Sequence, residues 1–193
     1  VTSEEARHKL SLPQDKEIVV YTGHFYQWKG VDTLVEVAKK MQDKLFVFVG
    51  GVDPELSRLR LECSGLANVI IVPHGSRSIV PLYLKSADVL VVPNSQNSKI
   101  SSEYTSPLKL LEYMASGKPI VASDLPSIRE ILNESNSVFA MPDNSKSLAG
   151  AISKVLSDPE LASRISIQAK HDVVKYDWSN RAKRIIKFIE AEN

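Results

Sequence analysis

Two stretches of the chain carry residue types that could do chemistry. One is the turn Gly23-His24-Phe25-Tyr26-Gln27-Trp28-Lys29-Gly30, which sets an imidazole and an ammonium between two glycines. By itself it reads as a structural turn between strand and helix with an exposed lysine, since it matches neither G-x4-G-K-S/T nor G-x-G-x-x-G. The other runs from Asn94 to Asp124 and opens with a polar segment longer than ordinary connections, a length that usually marks function or disorder. A helix with both ends marked follows: Ser106 as N-cap, Pro107 at the first helical position, and Gly117 before Lys118-Pro119 as the stop. Along it Leu108, Leu111 and Ala115 are expected to share a face, with Glu112 in their midst. A carboxylate among apolar neighbours is costly without partners. Two readings stand side by side. Either the helix is amphipathic with Glu112 on its rim, or Glu112 is a ligand carboxylate beside an anion site made by the free N–H groups of the helix start.

The elements that must position these residues alternate strictly. Strands are expected at EIVVYT (17–22), KLFVFV (44–49), NVIIV (68–72), ADVLVVP (87–93), PIVAS (119–123) and SVFAM (137–141), with helical periodicity between them, as in Val31, Leu34, Val35, Ala38 and Met41. From Ser145 the chain reads as helical in pieces, broken at Asp158-Pro159 and again near Tyr176-Asp177-Trp178. Alternation with short connections implies an α/β fold with a doubly wound parallel sheet, whose ligands bind at the carboxyl ends of strands. The loops 23–30, 50–53, 73–78 and 93–107 all follow strands and should share that edge. With no repeat and no linker, residues 1–193 read as a single domain, its C-terminal helices beginning near residue 145.

Composition narrows the classes. The chain is 43% hydrophobic and 24% charged, and 24 Lys+Arg against 23 Asp+Glu leave a formal charge of +1, which argues against a general nucleic-acid surface. Cys63 is the only cysteine, so an internal disulfide is excluded and a structural zinc site is not expected. No apolar run reaches membrane-spanning length and no signal peptide is read. The chain opens on Val1 and reaches a strand soon after, which reads as a domain excised from an intracellular protein.

With these elements in place, SPLKLLEYMASGKPIVASDLPSIREIL (106–132) resembles the signature segment of the family 4 glycosyltransferases, GT-B enzymes that use activated sugar donors. That family usually carries E-x7-E, with the second Glu inside E-x-M-A-S/C/A-G-x-P-V/I-V-A, and Glu112 matches it. GHFYQWKG is likewise similar to the family's G-R-L-x-x-x-K-G block, with Gly23, Lys29 and Gly30 in place and His24 where Arg is usual. Eight residues before Glu112 stands Tyr104 rather than Glu, while Glu103 lies one place earlier.

The resemblance implies a Rossmann-like donor-binding half of a GT-B enzyme, and it assigns roles residue by residue. Lys29, the catalytic assignment, with His24 beside it, would clamp the donor's diphosphate and stabilise leaving-group charge without a metal. Gly23, Ser106 and the backbone N–H groups of Leu108 and Lys109 would line the same phosphate site, and Glu112 would accept from the ribose hydroxyls. Glu103, or a hydroxyl from Tyr104 or Thr105, would face the donor sugar. HGSRS (74–78), with Ser76 and Arg77, falls where the base edge is read, mostly by main chain, whereas Asp88 looks structural. The implied activity is retaining, metal-independent transfer of a hexose-like sugar from a nucleotide-sugar, which is a substrate and not a cofactor. The acceptor, lipid-linked or at a membrane among the options, would be held by an N-terminal domain absent from these residues, so the fragment alone is expected to be inactive. The implied location is cytoplasmic or peripheral to a membrane. The apolar stripe of the last helix would pack on that partner domain. The alternatives are a GT-B-shaped sugar-nucleotide epimerase and a non-catalytic nucleotide-binding or scaffold module.

Overall fold

The computed structural model describes residues 1–104 and 108–191. Runs rich in Val, Ile and Phe form six strands: β1 (Ile18–Thr22), β2 (Leu45–Gly51), β3 (Val69–Pro73), β4 (Val89–Val92), β5 (Ile120–Ser123) and β6 (Val138–Ala140). All pair in parallel in the order β3-β2-β1-β4-β5-β6. The order reverses between β1 and β4, which pair through Val19 with Val89 and Val20 with Leu90. The four inner strands are buried throughout except at Gly50, as continuous apolar runs require, while edge strand β3 is only half-buried.

Helices cover both faces: α1 (Ser3–Lys9), α2 (Val31–Lys40), α3 (Glu55–Glu62), α4 (Val80–Ser86), α5 (Leu108–Ser116), α6 (Pro126–Arg129), α7 (Ser145–Ser157), α8 (Pro159–Asp172) and α9 (Trp178–Ala191). Side chains alternate between the faces along each strand. Val19, Tyr21, Phe46, Phe48, Val89 and Val91 pack with α2, α3 and α7, whereas Ile18, Val20, Val47, Leu90, Val92 and Ile120 pack with α4, α5 and α6. The breaks expected in the C-terminal helices fall where polar caps stand. Asn144 accepts from Ser147 N at 2.9 Å to open α7, and Asp158 accepts from Leu161 N at 2.9 Å to open α8. Asp53 sits one residue outside the N-cap position of α3, which Pro54 occupies, and still accepts from Ser57 N at 3.1 Å. Four-residue α6 is too short to show a helical period, so sequence reading passes over it. Among the described residues no helix is long and apolar enough to cross a membrane.

One expected face is corrected. In α5 the buried residues are Lys109, Leu110, Tyr113, Met114 and Ser116, while Leu108, Glu112 and Ala115 are exposed and Leu111 is half-buried. The helix turns its 110/113/114 stripe to the sheet, so Glu112 is not a carboxylate trapped among apolar side chains. The start expected at Ser106 and Pro107 lies outside the described residues.

Asp88, read as structural, fastens the opposite edge of the sheet. Its Oδ2 accepts from Arg7 Nη2 at 2.6 Å and from Ile18 N at 2.7 Å, while Arg7 Nε donates to Ser86 O at 2.9 Å. One carboxylate and one buried guanidinium thus join α1 to the starts of β1 and β4. Asp88→Ala would leave the guanidinium without its anion and the Ile18 N–H unmet. It should lower stability by about 2 kcal/mol, towards the modest end for a charged pair because Asp88 is one-third exposed. Urea denaturation measures the loss.

Candidate functional site

The loops leaving β1 and β4 lie side by side where the strand order reverses, the position at which doubly wound sheets open a crevice. The first is pinned by close backbone approach. Gly23, at φ +127°, donates its N–H to Val49 O at 2.7 Å, and Tyr21 donates its hydroxyl to His24 O at 2.7 Å. Gln27–Lys29 make a single 3-10 turn that ends at Gly30, φ +67°. A Cβ on Gly30 would lie 1.9 Å from Pro93 O, so only glycine lets this turn press against the exit of β4. Ser95 N donates to Trp28 O at 3.0 Å and ties the two loops together.

Within the turn, Lys29 is half-buried with its Nζ 4.8 Å from the centre of the Trp28 ring, and burial holds its pKa below the ordinary lysine value. His24 is also half-buried. Burial first, then the charges of Lys29 and His74, push its pKa down, with Glu55 pulling the other way and Lys109 adding a smaller push. His24 stacks between His74, 6.0 Å away, and Tyr26, 5.3 Å away, and Tyr26 in turn stacks on Trp28 at 6.2 Å. This ladder of rings borders a cleft of about 380 Å³ walled by Tyr26, Trp28, Pro54 and Arg58. Sequence reasoning left Tyr26 and Trp28 without a role and took His74 only as part of the 74–78 turn. The signal was the aromatic density of GHFYQWKG, which no motif weighed.

Helix α5 meets this loop from the β4 side. The Tyr113 hydroxyl accepts from Thr22 N at 2.7 Å, fixing the helix to the last residue of β1, and burial pushes its phenol up to about 12. The Lys109 side chain runs under the same loop. It is 8% exposed, its Nζ stands 4.1 Å from the centre of the Tyr21 ring, and a Cβ on Gly23 would lie 3.0 Å from it. Burial, and then Lys29, hold the Lys109 pKa well below the ordinary value, with Glu112 offsetting part of the shift. The sequence expectation gave Lys109 a role through its N–H alone. The apolar spacing 110/113/114 carried the signal that its side chain points inward.

Among the described residues four buried side-chain polar atoms have no hydrogen-bond partner: His24 Nδ1, Asn94 Oδ1, Ser101 Oγ and Lys109 Nζ. All four sit in the loops after β1 and β4 or on the helix that follows. Buried polar atoms are normally paired, and such a gathering marks where a polar ligand would complete the set. Of the other residues expected at the site, Glu103 and Tyr104 are exposed on a π-helical turn, Ile100–Tyr104. Thr105 and Ser106 lie outside the described residues. Exposed Ser76 and Arg77 open the 3-10 turn after β3, on the same edge, where Ser76 Oγ accepts from Ser78 N at 3.3 Å.

The strand order and the crevice at its reversal define a Rossmann-like α/β architecture with a cationic loop at its carboxyl edge, the fold of GT-B glycosyltransferase domains. The model of the family Glycosyl transferases group 1 matches residues 2–172, and the chain belongs to that family. It is 31% identical over 179 residues to the N,N'-diacetylbacillosaminyl-diphospho-undecaprenol alpha-1,3-N-acetylgalactosaminyltransferase of Campylobacter jejuni, covering 91% of this chain and 45% of the relative. Among solved structures, Anabaena HepE in complex with UDP superposes with a TM-score of 0.84 at 18% identity, covering 98% of this chain and 52% of that one. The C-terminal domain of the group 1 glycosyl transferase LpcC from Francisella tularensis superposes with a TM-score of 0.68 at 20% identity, covering 92% of this chain and 99% of that one. The chain therefore spans a little under half the length of the curated relatives it matches.

His24 gives the electrostatics of the site a direct check. An NMR titration of its ring should show a midpoint below the usual histidine value of about 6.5. Lys29→Met removes a repelling charge and should raise that midpoint. An unmoved midpoint would show that the ammonium does not reach the imidazole.

Proposed function

We propose that this chain is the C-terminal, donor-binding domain of a family 4 glycosyltransferase, which transfers a sugar with retention from a nucleotide-sugar to an acceptor held by another domain. The observation that carries the reading is the gathering of cations and unpaired buried polar atoms at the reversal of strand order. Lys29 and the N–H groups at the start of α5 hold the diphosphate, and the fixed ammonium stabilises the charge that develops on the leaving group, with no metal required. Glu112, exposed one turn into α5, accepts from the ribose hydroxyls. Glu103 and Tyr104 are assigned to the sugar and the 74–78 turn with Ser76 and Arg77 to the base, while Thr105 and Ser106, expected at the sugar and the phosphate, lie outside the described residues.

Several findings support this placement. HepE is solved with UDP and with UDP-glucose. The LpcC domain of matching extent is a C-terminal one. On α9, Ile185, Ile186 and Phe188 are more than half exposed, an apolar stripe suited to packing against the other domain. The acceptor, lipid-linked or soluble, belongs to that domain, and the proposed location is the cytoplasm or the membrane periphery.

Isothermal titration with UDP, GDP and ADP in the presence of EDTA tests the site. At least one should bind, and Lys29→Ala and Glu112→Ala should each weaken it by about 1–3 kcal/mol, the range for losing a charged hydrogen-bond partner. Affinities no better than that of the double variant would remove the reading. The 193-residue chain by itself should transfer no sugar to a defined acceptor, because catalysis needs both reactants held in register.

A further inference from the structure

Lys109 holds a position that packing alone does not explain. Its neighbours on the buried face of α5 are Leu110, Tyr113 and Met114, and an apolar side chain would fill the same space without an ammonium to desolvate. The Nζ makes no hydrogen bond and rests on the face of Tyr21 at 4.1 Å. The groups around it do not neutralise it. Tyr21 faces it from β1, Lys29 and His24 from the loop, and Glu112 from its own helix. Glu112 lies on the exposed side and forms no ion pair with it. Its cover is Gly23, where a side chain would crowd Nζ at 3.0 Å and Cε at 3.3 Å.

We propose that the Lys109 side chain is a second cationic ligand of the donor's diphosphate, resting on Tyr21 in the free chain and turning past Gly23 to the phosphate oxygens when the nucleotide arrives. The inference rests on the nucleotide-binding reading above. The flexible four-carbon stem permits the movement, and the absence of a side chain at position 23 leaves the path open. A diphosphate supplies the anion that burial and Lys29 together demand.

The proposal has a proton signature. In the free chain the Lys109 ammonium is disfavoured by burial and by Lys29. A bound diphosphate favours it, so binding takes up a proton below the ordinary lysine range, and affinity falls as pH rises towards that range. The same sign applies to folding. Between the folded and unfolded pKa values of Lys109 the unfolded chain binds more protons, so the free chain is less stable at neutral than at alkaline pH. Lys109→Met should accordingly fold and melt at a higher temperature than the wild type.

The test is calorimetry of the full chain with UDP, GDP, ADP and uridine between pH 8 and 10, in buffers of different ionisation enthalpy. The wild type should take up protons with the diphosphate. Lys109→Met should bind it roughly 10- to 100-fold more weakly with no uptake, while His24→Gln keeps the uptake and Lys109→Met leaves uridine affinity unchanged. In the wild type itself, the Lys109 Cε resonance should move towards the charged-lysine position on addition of the diphosphate. Diphosphate affinity and proton uptake unaltered in Lys109→Met, an unmoved Cε resonance, or an equal loss for uridine would each overturn the role of Lys109 and leave the nucleotide site standing. Failure of the wild type to bind any of the three diphosphates would overturn the nucleotide-binding reading and this inference with it.

Discussion

Because β1, β2 and β3 are laid out to one side and β4, β5 and β6 to the other, the chain leaves the adjacent strands β1 and β4 in opposite directions. The crossover helices of the two halves cannot cover the gap between those strand ends, and the site depends on that constraint. Everything built there reinforces the junction: the Tyr113 hydroxyl on Thr22 N, Ser95 N on Trp28 O, and Gly30 pressed against Pro93. A crevice fixed by strand ends and short bonds leaves its backbone little freedom to reorganise, which suits the electrostatic stabilisation of a leaving group proposed for it.

The two edges of the sheet treat charge in opposite ways. At the amino edge, Arg7 is buried with an acceptor for each of its three guanidinium nitrogens and Asp88 answers its charge. At the carboxyl edge, Lys29 and Lys109 repel one another, and His24 is pushed away from its charged form by both. The amino edge lowers the free energy of the fold, while the carboxyl edge raises it, a cost that the proposed diphosphate would offset. The dry, two-faced core supplies the stability that tolerates the second arrangement, a division expected where activity needs a strained site.

Much of this was legible in the residues. Continuous apolar runs announced all six strands, and the loops after β1 and β4 were placed on one edge before any geometry was known, because parallel strands oblige it. Asp158-Pro159 marked a helix boundary through its chemistry. The orientation of α5 was not legible in the same way. Two apolar stripes compete there, 108/111/115 and 110/113/114, and only contact with Thr22 and the sheet selects the second. That selection exchanged the expected places of two charges, exposing Glu112 and burying Lys109. The strand order itself is also invisible to periodicity, which reports which residues are buried and not which strands are neighbours.

The site divides by rigidity along the proposed donor. The groups assigned to diphosphate and ribose, Lys29, Lys109 and Glu112, stand on a turn locked to β4 and on a helix locked to β1. Glu103 and Tyr104, assigned to the sugar, stand exposed on a π-helical turn held from below by the Ser127 hydroxyl on Ser101 O at 2.6 Å. Such turns recur at functional sites as local departures from the α-helix. On this reading the nucleotide is gripped by the sheet and the sugar is read by a loop. Substitutions at 103–105 can then change which sugar is accepted while the phosphate site stays intact, since loops tolerate change that packed elements do not.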